Sequence, residues 1–157
     1  NQSTNYPINQ LTNKKLQTTN HQPLTYLILS ADTEVIFNNQ PLGKPKDYDE
    51  AVRILKILSG KTHEVISGYY IIETRKNIMK PKIWQGFDRS FVTFRKLTDK
   101  DIKLYLSLTD YTRYTGGYAL VASPQYFITK IEGSISNVIG LPMEKVIPIL
   151  VSTKLMS

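Results

Sequence analysis

A short apolar run that delivers a carboxylate constrains this chain more than any other feature. Leu24–Ser30 follows Pro23 and is rich in leucine and isoleucine, which predicts a buried strand. Asp32 lies just beyond the predicted end of this strand, and Lys44 follows between a glycine and a proline. An acid and a cation placed this close to a strand end indicate a site for an anion such as a phosphate.

The rest of the chain alternates between predicted strands and helices. Further strands are predicted at Glu34–Asn38, Thr62–Glu73, Ser90–Arg95 and Tyr126–Ile131, and helices at Tyr48–Leu58, Thr98–Leu108 and Met143–Leu150. The segment Gly133–Asn137 is predicted to form a polar turn, and Pro148 to end or kink the last helix. Because strands and helices intermix, the sequence predicts an α/β or α+β domain with a mixed sheet.

Length and composition limit the class of protein. A chain of 157 residues predicts one domain, 1–157, in which residues 1–23 are polar and expected to be partly helical or disordered. The absence of cysteine excludes a disulfide framework and a thiolate metal site. No run reaches the ~18 apolar residues of a membrane span, and no apolar leader is visible. We therefore expect a cytoplasmic protein with no membrane partner.

The chain is basic, with a formal net charge of +7 and a pI of about 9.5. Such a balance suits an anionic partner such as a nucleotide or a nucleic acid. A composition that simply favours lysine accounts for the charge equally well. Because the basic residues are spread along the chain and form no block, the pattern disfavours nucleic acid as the partner.

Four motifs, taken together, resemble those of one known family. They are Ser30–Thr33, Leu42–Pro45, Leu58–Val65 and Glu132–Pro142. Their residues and their order are similar to those of the motifs in the Maf-like proteins, also known as septum formation inhibitors. The resemblance covers about residues 11–150. The resemblance implies an α/β fold like that of the inosine triphosphatases, with two lobes, a twisted mixed sheet and a central cleft.

The resemblance also implies an activity. Members of the family hydrolyse a nucleoside triphosphate to the monophosphate and pyrophosphate with a divalent cation, Mg²⁺ or Mn²⁺. The wording of Ser30–Thr33 and Ser59–His63 is similar to the branch that acts on dTTP and UTP. A nucleoside triphosphate is therefore the expected partner, and a homodimer is left open.

The resemblance implies roles for individual residues. Asp32 is expected to be the catalytic acid, which orients or deprotonates water or holds the metal. Lys44 is expected to contact phosphate, and so is Lys15, although Lys14 leaves its register open by one. From the residues alone, a turn aspartate and solvated lysines are the competing interpretations.

Thr62 and His63 are the other expected substrate-binding residues. His63 also fits a structural histidine inside the fold, which is the more common role for a lone histidine. Glu132 fits either a contribution to the metal site or structural anchoring.

The chain departs from the family pattern in two places. The family's opening strand and its S-x-S-P-R-R loop have no counterpart, so we expect a truncated N-terminus. A family glutamine is replaced by Val121, and a family Asp-Lys pair by Arg113 and Tyr114. The alternative to an enzyme is therefore a degenerate, non-catalytic homologue that binds a nucleotide or a partner. A basic nucleic-acid-binding domain is a third interpretation, favoured by the charge alone.

Overall fold

Long antiparallel strands dominate the molecule. The computed structural model describes residues 25–75, 80–121 and 127–153. Strands β1–β5 span Thr25–Phe37, Gln40–Leu42, Thr62–Arg75, Lys82–Phe94 and Ile128–Glu132. Helices α1–α4 span Tyr48–Leu58, Asp99–Leu108, Ile135–Ile139 and Met143–Ser152. Two short 3-10 turns, Tyr111–Arg113 and Thr115–Gly117, follow α2. This mixture of helices and strands confirms the α/β class.

The sheet has the strand order β2-β1-β3-β4-β5. β1 and β3 pair without interruption from Thr25 opposite Arg75 to Ile36 opposite Glu64. β-branched and aromatic residues, which favour a pleated and half-buried surface, are frequent in β3 and β4. The core lies between this sheet and the helices, and includes Val35, Val65, Val92, Phe94, Ala51, Ile54, Leu55, Leu58, Ile102 and Leu106.

Local signals define the first helix completely. The Asp47 carboxylate accepts a hydrogen bond of 2.8 Å from the backbone N–H of Glu50, which caps the helix N-terminus. Ala51, Ile54, Leu55 and Leu58 are buried at the spacing of one helix face. Gly60 follows the helix at a φ of 68°, the left-handed conformation that glycine adopts without strain. The predicted bounds of this helix are confirmed.

The prediction for β1 was wrong in one important respect. Two short strands were expected on either side of Asp32, whereas β1 is a single strand of 13 residues with Asp32 near its middle. Pairing with β3 along nearly its whole length carries the strand through the polar segment. The expected burial of its first half is also wrong, because Ile28 is 55% exposed.

Other segments differ from their predictions as well. Every described strand pairing is antiparallel, whereas a mixed sheet was expected. β4 begins at Lys82, because pairing with β3 extends it beyond the segment Ser90–Arg95. The expected polar turn Gly133–Asn137 contains the start of α3, and α4 continues through Pro148 to Ser152. In the described part of the chain, no helix has the length and apolar character that a bilayer crossing requires.

Candidate active site

Adjacent residues of β1 point in opposite directions and so serve different surroundings. Successive side chains of a strand alternate between the two faces of a sheet. Asp32 is exposed, and its Oδ1 accepts a hydrogen bond of 2.9 Å from the backbone N–H of Thr33. The Thr33 hydroxyl lies 2.7 Å from the Ser67 hydroxyl on β3. β1 therefore presents a carboxylate to solvent beside a hydroxyl that is tied to the sheet.

A buried network, formed by Thr33, Ser67, Ser90 and Asn137, lies beneath this part of β1. The Asn137 carboxamide oxygen accepts from the backbone N–H of Ser67 at 3.1 Å, and its nitrogen donates to the Ser90 hydroxyl at 3.0 Å. The same nitrogen donates to the Val65 carbonyl at 3.0 Å. Asn137 is fully buried. The network thereby fastens α3 to β3 and β4.

The loop that carries Lys44 is joined to the turn Thr115–Gly117. The Gly43 carbonyl accepts a hydrogen bond of 3.1 Å from the backbone N–H of Gly116. Gly116 has a φ of 75°, and a Cβ at this position would lie 3.0 Å from Cγ2 of Val35. A residue without a side chain is therefore required for this turn to pack against β1.

A cleft of about 230 Å³ opens between β1, the Lys44 loop and the segment that follows α2. Asp32, Lys44 and Arg113 contribute its charges, and we call these three residues the charged rim. The remaining lining is mostly apolar or aromatic and includes Val35, Val65, Tyr114, Tyr118, Leu120, Val121, Val138 and Ile139. All three rim residues are exposed, and none has an ion-pair partner within the described part of the chain.

A buried aromatic pair supports the wall of the cleft. Nε2 of His63 lies 2.6 Å from the Tyr118 hydroxyl, and Phe94 packs edge-on against both rings. Desolvation by burial lowers the pKa of His63 from 6.5 to about 4, so the imidazole is neutral at pH 7. Burial also raises the pKa of the Tyr118 phenol. The Tyr118 phenol is thus neutral and is held in place by its contacts with His63 and Phe94.

Sequence comparison decides the family. The profile described as Maf-like protein matches residues 1–153, nearly the whole chain. The chain belongs to the Maf-like family. This confirms the resemblance that the four motifs carried.

Several relatives of the Maf-like chain have names that state an activity. The dTTP/UTP pyrophosphatase of Pyrococcus furiosus is 41% identical over 80% of this chain and 63% of its own length. The dTTP/UTP pyrophosphatases of Bdellovibrio bacteriovorus and Alkaliphilus oremlandii are each 40% identical, over 77% and 76% of this chain. The chain spans about three fifths of the length of these relatives.

The Maf-like chain brings two of its predicted site residues together. Asp32 and Lys44 line the same cleft. Thr62 and His63 are not among the residues that line it. The Thr62 hydroxyl lies 2.9 Å from that of Thr93, and His63 contacts Tyr118, which does line the cleft. Lys15 lies outside the described residues.

The structure also gives the surroundings of Val121 and Glu132, two positions that the sequence analysis singled out. Val121 lines the cleft and is 70% exposed. Glu132 is exposed and forms an ion pair of 2.9 Å with Lys130 on β5. The described contact of Glu132 is therefore a surface ion pair within β5.

The sequence interpretation missed three contributors to this site. Arg113 was noted only as a departure from the family pattern, and Tyr118 was assigned no role. Asn137 was assigned to a turn, whereas its side chain is buried and makes hydrogen bonds to β3 and β4. The Gly116-Gly117 pair next to Arg113 was the available sign that this segment approaches another backbone closely.

The donor set of the cleft constrains how a metal ion could bind. Among the described residues, no group of three or more His, Cys, Asp or Glu side chains could hold a metal ion. Asp32 lines the cleft, and Glu34 lies in the adjoining groove together with Asp32 and Lys44. Mg²⁺ is commonly held by one or two carboxylates together with substrate phosphates. These residues therefore fit a cation that arrives with a triphosphate.

Proposed function

We propose that this Maf-like chain carries the activity of a nucleoside triphosphate pyrophosphatase that hydrolyses dTTP or UTP to the monophosphate and pyrophosphate. The observation that carries the proposal is that Asp32 and Lys44 line one cleft, where their carboxylate and ammonium have no ion-pair partner within the described part of the chain. Membership of the family and the names of the relatives support the same reaction class and substrates.

The reaction needs an activated water, and the exposed position of the Asp32 carboxylate in the cleft supports Asp32 as the group that activates it. The carboxylate accepts a proton from the water, whose oxygen forms a bond to the α-phosphorus. The bond between the α-phosphorus and the bridging oxygen then breaks, and pyrophosphate leaves with that oxygen. A positioned general base contributes about 10²- to 10⁴-fold to such a step.

Cations must offset the charge of the triphosphate while it reacts. Lys44 supplies a compact ammonium at the cleft, and we propose Lys15 as a further phosphate ligand. A bound Mg²⁺ or Mn²⁺ would neutralise phosphate oxygens and help to orient them. Asp32 and Glu34 are the carboxylates that would hold it. A cytoplasmic location is part of the proposal, because nucleoside triphosphates are the substrates.

A second candidate is a homologue that binds nucleotide without turning it over. The observation that favours it is the exposed, apolar side chain of Val121 in the cleft wall. The described lining contains no side-chain amide, which is the group that would read the edge of a base. If the enzyme is active, we expect this lining to weaken its selectivity among bases.

Pyrophosphate release from a panel of nucleoside triphosphates, with Mg²⁺ or Mn²⁺, tests the proposal. We expect the fastest release from dTTP or UTP, and a rate at least about 100-fold lower for Asp32→Asn. Asp49→Asn is the matched control, because Asp49 is an exposed carboxylate in the first turn of α1 and does not line the cleft. Equal rates for Asp32→Asn and the unchanged protein would remove Asp32 from the mechanism. Nucleotide binding without any release would favour the second candidate.

A further inference from the structure

The charged rim contains a guanidinium that the proposed reaction has not yet used. Arg113 ends the turn Tyr111–Arg113 and lines the same cleft as Asp32 and Lys44. Its side chain is exposed, and no ion pair or hydrogen bond occupies it within the described ranges. An arginine at the mouth of a cleft is therefore available to a ligand.

The backbone around Arg113 is held in place by hydrogen bonds. The N–H of Tyr114 donates to the Tyr111 carbonyl at 3.2 Å, and the N–H of Gly117 donates to the Tyr114 carbonyl at 2.9 Å. The N–H of Gly116 donates to the Gly43 carbonyl, one residue before Lys44. The backbones of the segments that carry the two cations are thus joined directly, so both side chains extend from connected segments that line the same cleft.

The two cations offer different chemistry to a phosphate chain. The Lys44 ammonium acts as a point charge, whereas the Arg113 guanidinium presents N–H groups in a planar fork that matches two phosphate oxygens. A polyphosphate carries more charge than one ammonium can neutralise. A lysine and an arginine on joined loops therefore suit a ligand with at least two linked phosphates.

We propose that Arg113 is a phosphate-binding residue that works together with Lys44 to hold the polyphosphate part of the substrate. The assignment of this ligand rests on the proposed function, but binding itself requires no turnover. Arg113 therefore contributes to substrate affinity more than to the rate of the bound complex.

Calorimetric titration of the chain with inorganic tripolyphosphate, at fixed ionic strength, tests the proposal without turnover. We expect Arg113→Gln to weaken binding by about tenfold or more, the loss typical of a charge-assisted hydrogen bond. Arg113→Lys keeps the charge without the fork and is expected to recover part of the affinity. Arg53→Ala is the matched control, since it removes an exposed guanidinium on α1 that pairs with Glu50. With dTTP as substrate, Arg113→Gln is expected to raise KM with a smaller change in kcat.

Two results would overturn the assignment of Arg113: no binding of tripolyphosphate, or the same affinity for Arg113→Gln and the unchanged chain. An equal loss with Arg53→Ala would also contradict it, because the effect would then reflect overall charge. Pyrophosphate release separates this proposal from the proposed function. Tripolyphosphate binding that depends on Arg113, without release from any nucleotide, would support the binding site and reject the activity. Pyrophosphate release that is unaffected by Arg113→Gln would support the activity and reject the role of Arg113.

Discussion

The buried network and the charged rim meet at two consecutive residues of β1, yet they differ in how their polar groups are satisfied. Thr33 belongs to the network, where the side-chain amide of Asn137 makes hydrogen bonds to three other residues. Asp32 belongs to the rim, whose charges have no ion-pair partners within the described ranges. An unpaired buried polar group lowers the stability of the fold, so such groups are paired. An exposed charge is hydrated by water and can remain unpaired until a ligand binds. We therefore expect the network to stabilise the fold and the rim to bind and react with the ligand.

The largest stability effect is expected in the buried network. Asn137→Ala would leave the Ser67 N–H, the Val65 carbonyl and the Ser90 hydroxyl without their amide partner. We expect the free energy of unfolding to fall by about 4 kcal/mol, measured by urea denaturation. Asp32→Asn in the same assay is expected to change it little. Similar losses for both variants would break the distinction between network and rim.

The buried pair of His63 and Tyr118, of which Tyr118 lines the cleft, predicts a dependence of stability on pH. The pKa of His63 is about 4 in the folded chain and 6.5 for the exposed group, so the unfolded chain binds this proton first. The stabilisation is complete above about pH 6.5 and is lost as pH falls towards 4. The free energy of unfolding should fall by about 3 kcal/mol over that window.

The control for this prediction is His63→Gln, which cannot gain the proton. Carboxylates that gain protons in the same pH range contribute equally to the unchanged chain and to His63→Gln. The difference in stability between the two therefore reports the contribution of His63 alone. A difference that stays constant between pH 6.5 and 4 would show that His63 is not desolvated in the fold.

Gly116 and Gly43 form a matched pair on the two loops that carry the rim cations. Gly116→Ala places a Cβ 3.0 Å from Val35 at a φ of 75°, whereas a Cβ on Gly43 meets nothing within 4 Å. We expect Gly116→Ala to cost about 2 kcal/mol of stability and to weaken tripolyphosphate binding. Gly43→Ala should do neither to a comparable extent. Equal effects would mean that close packing of the turn on β1 does not position the cations.

The smallest effect is expected at Thr62. Its hydroxyl lies 2.9 Å from that of Thr93 on an exposed part of the sheet, outside the lining of the cleft. Thr62→Val should change the free energy of unfolding by about 0.5 kcal/mol and leave KM for dTTP nearly unchanged. A several-fold rise in KM would instead restore Thr62 as a substrate-binding residue.

The sequence predicted the features that depend on nearby residues. The capping aspartate, the buried stripe of α1 and the terminating Gly60 all act within one helix, so its bounds were correct. The meeting of Asp32 and Lys44 was anticipated because both motifs resembled those of one family. These are cases in which local chemistry or a recognised pattern carries the information.

Features that depend on distant residues were not predictable in the same way. Asp32 was placed at a strand end because the polar segment interrupts an apolar run, but pairing with β3 continues the strand. Asn137 was predicted to lie in a turn because its hydrogen-bond partners, on β3 and β4, are far away in sequence. The joining of Arg113 to the Lys44 loop depends on one hydrogen bond between residues far apart in sequence. Tertiary contacts override local propensity at each of these places.

Pyrophosphate release by Asp32→Asn and Thr33→Val, measured beside the unfolding free energy of each variant, tests the central claim most directly. Asp32→Asn should lose at least about 100-fold in the rate with dTTP while keeping its stability. Thr33→Val should lose about 1 kcal/mol of stability, because the Ser67 hydroxyl loses a partner, and retain far more of the rate. An active Asp32→Asn variant, or one that has lost stability as well as rate, would contradict the assignment of Asp32 to the chemistry.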